Sequence, residues 1–367
     1  MNKRILSLLA GVLACLTLLS ACGGETPAAS SSAPGDLSLE PAVSTLAPVE
    51  PDPLYTNPLT GEGTQTDLSA ARPVAIMLNN LRKALPQCGI AQADLIYEVP
   101  AEGGITRMMA VFQSLDGVDT LGSVRSARPY YVELAAGLDA IFIHAGGSDD
   151  AYSAIKKHGV FNIDGVNGPY GGTMFYRDSA RKQNAGFEHS LFTSRDRIEK
   201  LLSGPLSKMR QTHKEDYSLP LVFTTDGTPA GGAPAASISV EFSYYKTGKF
   251  TYDPGTKAYR VEQHIDKHDL PYVDGTDNTQ VEVTNVLVLQ TDVNLIKGDS
   301  AGRQTVRLTG SGSGYFACGG QYIPITWSKT SAAAPLQFST ADGQPLILGT
   351  GTSYINIIDD GNTVTFQ

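Results

Sequence analysis

The chain has 367 residues, 37 of them acidic and 28 basic, for a net charge of -9. That balance excludes a broad nucleic-acid-binding surface and leaves local arginine clusters as the places where small anions could be held.

The first segment, MNKRILSLLAGVLACLTLLSACGG, carries Lys3 and Arg4, an apolar run from Ile5 to Leu19, and Leu19-Ser20-Ala21-Cys22. This is the pattern of an export signal, with an apolar run short for a bilayer span, and its end resembles the lipobox of bacterial lipoproteins. Residues 1–22 are therefore expected to be a lipoprotein signal, with Cys22 as the lipidated N-terminus. More than one acyl chain on Cys22 gives stable anchoring, because each buried methylene adds roughly 0.8 kcal/mol of membrane affinity. The expected location is the extracytoplasmic side of the cell membrane.

Residues 23–70 are rich in Ser, Ala, Pro, Thr and Gly. With few apolar groups to repay ordering entropy, they are expected to be a disordered tether with an end-to-end distance of about 40 Å. Residues 71–227 alternate strand and helix signals. PVAIMLNN, DLIYEVP, ITRMMAVFQS and DAIFIHAGG read as strands. ARPYYVELAAGL, SDDAYSAIKKHG and SRDRIEKLLSG read as helices, marked by Pro129 in a first turn, Ser148 or Asp149 as a cap, and Gly159 and Gly204 as ends. The expected fold is an α/β N-terminal domain with a mixed sheet. TPAGGAPAAS, residues 228–237, reads as a linker. Residues 238–367 show only short strands and turns, including the hairpin FTYDPGTKAYRV, and are expected to form a smaller all-β domain. Cys88 and Cys318 fall in different halves, so a disulfide and two free thiols both stay open.

In α/β sheets ligands collect beyond the carboxyl ends of strands. Asn79, Asn80, His144 and Ser148 fall at such places. The segment EVPAEGGITR places Glu98, Glu102 and Arg107 about a sharp turn. Two carboxylates of this kind are what glycoside cleavage requires, so Glu98 and Glu102 are candidate catalytic groups, with His144 and His189 as the candidates for acid-base work. GSVRSARPYY adds Arg125, Ser126 and Arg128 just before Pro129, where guanidinium forks and a helix start suit a carboxylate or phosphate. The competing expectation is internal pairing of these arginines with Glu98, Glu102 or Asp178. FYRDSARKQNAGFEHSLFTS adds Tyr176, Arg177, Asp178, Arg181, Glu188 and His189 on a long polar, loop-like run.

HIDKHD would put His264, Asp266 and His268 on one side of a strand, but a polar hairpin loop explains it without zinc. No P-loop, nucleophile elbow, CxxC pair or HExxH occurs. Neither a metal nor a cofactor is expected.

The order of RPVAIMLNN, DLIYEVPAEGGITRMMAVFQS, GSVRSARPYYVELA, FIHAGGS and FYRDSARK, followed by FTYDPGTKAYRV, HID and NVLVLQTDV, resembles the YerB-like lipoprotein family of Gram-positive bacteria. The resemblance covers nearly all of the chain after the tether. It implies a two-domain lipoprotein and supplies no reaction. One departure is the run Glu188-His189-Ser190-Leu191-Phe192-Thr193-Ser194, where the family tends to have His-Asn before an aromatic residue and Thr-Ser.

The leading expectation is a surface lipoprotein binding an anionic cell-envelope ligand, such as a peptidoglycan fragment, through Asn80, Arg107, Arg125, Ser126, Arg128, Ser148, Asp178, Arg181 and His189. Two alternatives stay open: a peptidoglycan-cleaving glycoside hydrolase using a Glu pair, and a non-catalytic scaffold for another envelope protein. The expected partners are the membrane, through lipid on Cys22, and a cell-wall glycan, peptide or envelope protein, with no nucleic acid.

Overall fold

Strands Val74–Asn79 (β1), Leu95–Pro100 (β2) and Thr106–Phe112 (β3) are buried at every position. Their near-continuous apolar sequence suits a sheet covered on both faces. A computed structural model describes residues 52–367. The signal segment and Cys22 lie outside the described residues.

β1 and β2 flank β3 antiparallel, and Ile141–His144 (β4) and Asn162–Asp164 (β5) continue the sheet in parallel beyond β1. Helix Pro129–Gly137 (α1) precedes β4, and Asp149–His158 (α2) joins β4 to β5. The Ser148 hydroxyl caps α2 by accepting from Ala151 N at 3.2 Å, and Gly159 ends it in the left-handed region, φ 61°. Arg195–Ser203 (α3) is capped by Ser194 and ends at Gly204.

The C-terminal half is all-β among the described residues. Ser237–Glu241 (β6), Lys246–Asp253 (β7) and Ala258–Ile265 (β8) form the centre of a six-stranded antiparallel sheet. Alternating burial along β7 and β8 marks one face as core and the other as solvent-facing. Four further strands, Asn285–Thr291 (β9), Gly310–Cys318 (β10), Gln321–Lys329 (β11) and Ser353–Asp359 (β12), join the main sheet. β12 pairs parallel with β2, so the eleven-stranded main sheet contains the run β11-β10-β9-β12-β2-β3-β1-β4-β5, with Ala233–Pro234 and Gln337–Thr340 also pairing with β11, and draws strands from both halves. Residues 52–367 are accordingly one compact unit.

One face of the main sheet packs on α1 through Tyr131, Val132, Leu134 and Ala135 and on α2 through Ala151 and Ala154. The other is covered by α3 and by the second sheet, with Ile238, Val240, Phe250 and Val261 facing Ile96, Val286, Val288 and Ile358. The expected tether requires a correction at its end. Tyr55–Thr56 pairs with Gly63–Thr64, and Leu59 and Thr60 are almost fully buried. Leu59 supplies an apolar anchor within an otherwise polar composition, and Gly351 N donates to Thr60 O at 2.8 Å.

Candidate functional site

The β2–β3 turn projects Glu102 toward the start of α1. Arg128 precedes the first residue of that helix, but a guanidinium has no acceptor and cannot cap the free amides. It also lies at the positive end of the helix dipole, where a carboxylate is favoured. Glu102 supplies it: its Oε1 accepts from Arg128 Nη2 at 2.7 Å and from Arg107 Nη2, and its Oε2 accepts from Arg128 Nε at 3.3 Å. Arg107 also donates to Ser126 O at 2.9 Å. Burial would raise the Glu102 pKa, but Arg107 and Arg128 outweigh it and hold the carboxyl below its ordinary value. Burial, then Arg128, lowers the Arg107 guanidinium to about 10, with Glu102 opposing. Arg107, Arg128 and Glu102 thus form a brace under the start of α1, the internal pairing foreseen for Arg128.

Glu98 is completely buried on β2. It accepts from Asn80 Nδ2 at 2.9 Å, Thr106 Oγ1 at 2.5 Å and Tyr354 OH at 2.6 Å, and Lys246 Nζ lies 2.8 Å away. Glu98 and Glu102 therefore do not present an accessible carboxylate pair. One is sealed between the sheets and the other is held ionised by two guanidinium groups, whereas a general acid must carry a proton to a substrate. The catalytic expectation for these two residues is corrected on that ground.

His144 is also fully buried. Its Nδ1 lies 2.8 Å from Gly146 O and its Nε2 2.9 Å from Asn162 Nδ2, so both ring nitrogens are engaged. Burial lowers its pKa, with Asp164 opposing. Asp164 organises the same loop, accepting from Gly146 N at 2.7 Å, Val166 N at 2.8 Å and Tyr152 OH at 2.6 Å. The acid-base expectation for His144 gives way to a structural role, because no ring nitrogen is left for a substrate.

Other expected contacts are likewise spent on the fold. Ser148 caps α2, and Asp178 caps the short helix Ser179–Asn184 by accepting from Arg181 N at 2.6 Å. Arg181 donates to Ala84 O at 2.9 Å and to Pro86 O. Ser126 is half-buried and gives its carbonyl to Arg107. Asn80 is buried against Glu98, Thr106 and Gln87. In HIDKHD, Asp266 and Lys267 have φ of 50° and 66° and form the turn of a hairpin in which Ile265 pairs with His268. No group of residues able to hold a metal occurs among the described residues. Cys88 and Cys318 are buried free thiols.

What remains available is a positive cluster at the carboxyl end of β1. Arg125 Nη2 donates to Glu188 Oε2 at 2.9 Å, and that carboxylate is 67% exposed. The other Arg125 guanidinium nitrogens have no hydrogen-bond partner among the described residues, and exposed Lys83 has no ion-pair partner there. His189 lies beside them, its Nδ1 2.7 Å from Asn79 Nδ2. Burial, then Arg125 and Lys83, pushes the His189 pKa down, with Glu188 opposing. Lys83 continues into an open groove of about 510 Å³ lined by Leu81, Arg82, Lys83, Tyr245 and Asp266. Of this cluster Arg125, Glu188 and His189 were legible in the sequence, whereas Lys83 was not, because it sits in an ordinary-looking LRKALP turn. Lys246 was not among the expected residues either, although Lys246, Gly248 and Phe250 share one face of β7 and Phe250 marks that face as inward.

Comparison with known proteins places this architecture. The family described as a protein of unknown function (DUF3048) matches through its N-terminal domain at residues 59–206 and its C-terminal domain at residues 238–355. YerB of Bacillus subtilis (strain 168), whose name describes it as a lipoprotein, is 30% identical over 314 residues, covering 83% of this chain and 86% of its own. The crystal structure of the YerB protein from Bacillus subtilis matches with a TM-score of 0.71 and 27% identity, covering 85% of this chain and 99% of that chain.

Proposed function

The chain belongs to the DUF3048 family, and we propose that it is a lipid-anchored extracytoplasmic protein that binds an anionic cell-envelope ligand, specifically a peptidoglycan fragment. The anchor rests on the lipobox ending at Cys22 and on the similarity to a relative whose name describes a lipoprotein. No helix among the described residues is long and apolar enough to cross a membrane.

The observation that carries the binding reading is the contrast between two arginine environments. Arg107 and Arg128 share Glu102 in a largely buried brace, whereas half-buried Arg125 pairs only with the exposed Glu188 and exposed Lys83 has no ion-pair partner among the described residues. A carboxylate or phosphate entering there displaces a weak surface ion pair and gains guanidinium and ammonium donors. The groove beyond Lys83, with Tyr245 on its wall, accommodates the uncharged part of the ligand. His189 adds a donor when it is protonated below its lowered pKa.

Co-sedimentation of the mature chain with purified sacculi tests this reading. Retention is expected at low salt, weakened at least about tenfold by combined Lys83→Ala and Arg125→Ala substitution, since each factor of ten needs only ~1.4 kcal/mol. Absence of retention, or retention unaltered in the double variant, would contradict it.

A further inference from the structure

Between the two sheets lies a polar cluster that the binding reading does not use. Lys246, Glu98 and Asn80 are each at most 1% exposed and come from three separate strands or strand ends. Lys246 Nζ and Asn80 Nδ2 converge on the same carboxylate oxygen, Glu98 Oε1, at 2.8 and 2.9 Å. Beyond Glu98 the Lys246 ammonium has no hydrogen-bond partner among the described residues, and it lies 5.1 Å from the centroid of the Phe242 ring. Asn80 is fixed on both sides of its amide. Its Nδ2 also donates to Thr106 Oγ1 at 2.8 Å, and its Oδ1 accepts from Gln87 Nε2 at 3.2 Å.

A buried ammonium with unmet protons is costly, and burial favours its neutral, nucleophilic form. Here that amine sits with a primary amide about a single carboxylate, out of water and held by neighbours, the arrangement that raises effective concentration for an intramolecular reaction.

We propose that Lys246 and Asn80 form an intramolecular isopeptide bond under the Glu98 carboxylate. Glu98 takes a proton from the Lys246 ammonium, and the neutral Nζ attacks Asn80 Cγ. Gln87 Nε2 donates to the Oδ1 that becomes negative as the tetrahedral centre forms. Glu98 carries both protons lost by Nζ to Nδ2. The Cγ–Nδ2 bond then breaks, Nδ2 departs as ammonium, and Glu98 returns to its carboxylate. One amide replaces another, total charge is conserved, and nothing is oxidised or reduced. Tyr354 OH and Thr106 Oγ1, both donating to Glu98, keep the carboxylate aimed at the pair. The product is a covalent tie between the end of β1 in the main sheet and β7 in the second sheet.

The full chain purified from membranes is digested and its peptides sequenced by tandem mass spectrometry. The expected result is a branched peptide containing Asn80 and Lys246, lighter than its two parts by one ammonia, and absent from Lys246→Arg and Glu98→Gln chains. An Asn80→Asp chain, which keeps the site and shape, is expected to give the same branched product by losing water instead. Recovery of wild-type Asn80 and Lys246 only on separate peptides of full mass overturns the proposal, whether or not the variants fold. A wild-type branched peptide joining Lys246 to Glu98, lighter by one water, overturns Asn80 as the acyl donor. A branched product persisting in Glu98→Gln overturns the role given to Glu98.

Discussion

Replacing Glu102 by Gln keeps the shape of the side chain and removes one charge. In the folded chain that leaves Arg107 and Arg128, with side chains 2% and 10% exposed, facing one another without a counter-ion. Glu102 itself is only 22% exposed, so solvent screening is limited. Breaking a buried ion pair by removing one partner costs about 3–5 kcal/mol, and the lower end applies because Gln still accepts a hydrogen bond. A loss of about 3 kcal/mol is therefore expected near neutral pH, read in urea unfolding as a lower midpoint with an unchanged slope. The pH dependence follows from the lowered pKa of Glu102 in the folded chain. The carboxylate's contribution is fully present above its ordinary value of about 4.3 and is lost as pH falls through the lower folded value. The gap between wild type and Glu102→Gln should accordingly narrow below about pH 4. Glu188→Gln is the control: its exposed pair with Arg125 is worth less than about 1 kcal/mol. If the two substitutions cost the same, or the gap is flat with pH, the brace is not what positions α1.

Asp94 gives an opposite pH signature. Burial pushes its carboxyl up to about 6, against hydrogen bonds from Gln113 N and Asn57 Nδ2, so its contribution is largest below its ordinary pKa and falls away as pH rises through 6. A carboxyl NMR titration with a midpoint near 4 would refute that placement. Gly314→Ala should destabilise by about 1–3 kcal/mol, because an added Cβ would fall inside contact distance of the Val288 carbonyl on the neighbouring strand; an unaltered midpoint would mean that the β9–β10 approach is looser. Neither Cys88 nor Cys318 should react with a thiol reagent at neutral pH until the chain unfolds, since burial raises both thiols, Cys318 to about 11. Rapid labelling of the native protein would contradict their burial.

The strands and helices were legible where local chemistry decides them. Pro129, Ser148 and Gly159 mark helix ends through their own backbone and side-chain properties, and β7 and β8 advertise a hairpin around Asp253 and Ala258. The shared sheet was not legible, because the parallel pairing of β12 with β2 has no turn or local period to announce it. The same distance hid the site chemistry. Glu102 and Arg107 lie across one turn and Arg128 was a foreseen partner, but Glu98 meets Lys246 and Tyr354 only after both sheets are assembled. Arg125 was expected to pair with Glu98, Glu102 or Asp178, and finds Glu188 because Val124 N donates to Leu191 O and brings the two loops together.

The binding account is tested most directly by following side-chain NMR signals of Arg125 and His189 while a purified muropeptide is added. Saturable shifts at both, with the Arg128 Nε–H signal unmoved and the Arg125 response lost in high salt, are predicted. An unchanged Arg125 signal at saturating muropeptide, or an equal response from the Glu102-bound Arg128, would contradict the assignment of the anion to the Arg125–Lys83 cluster.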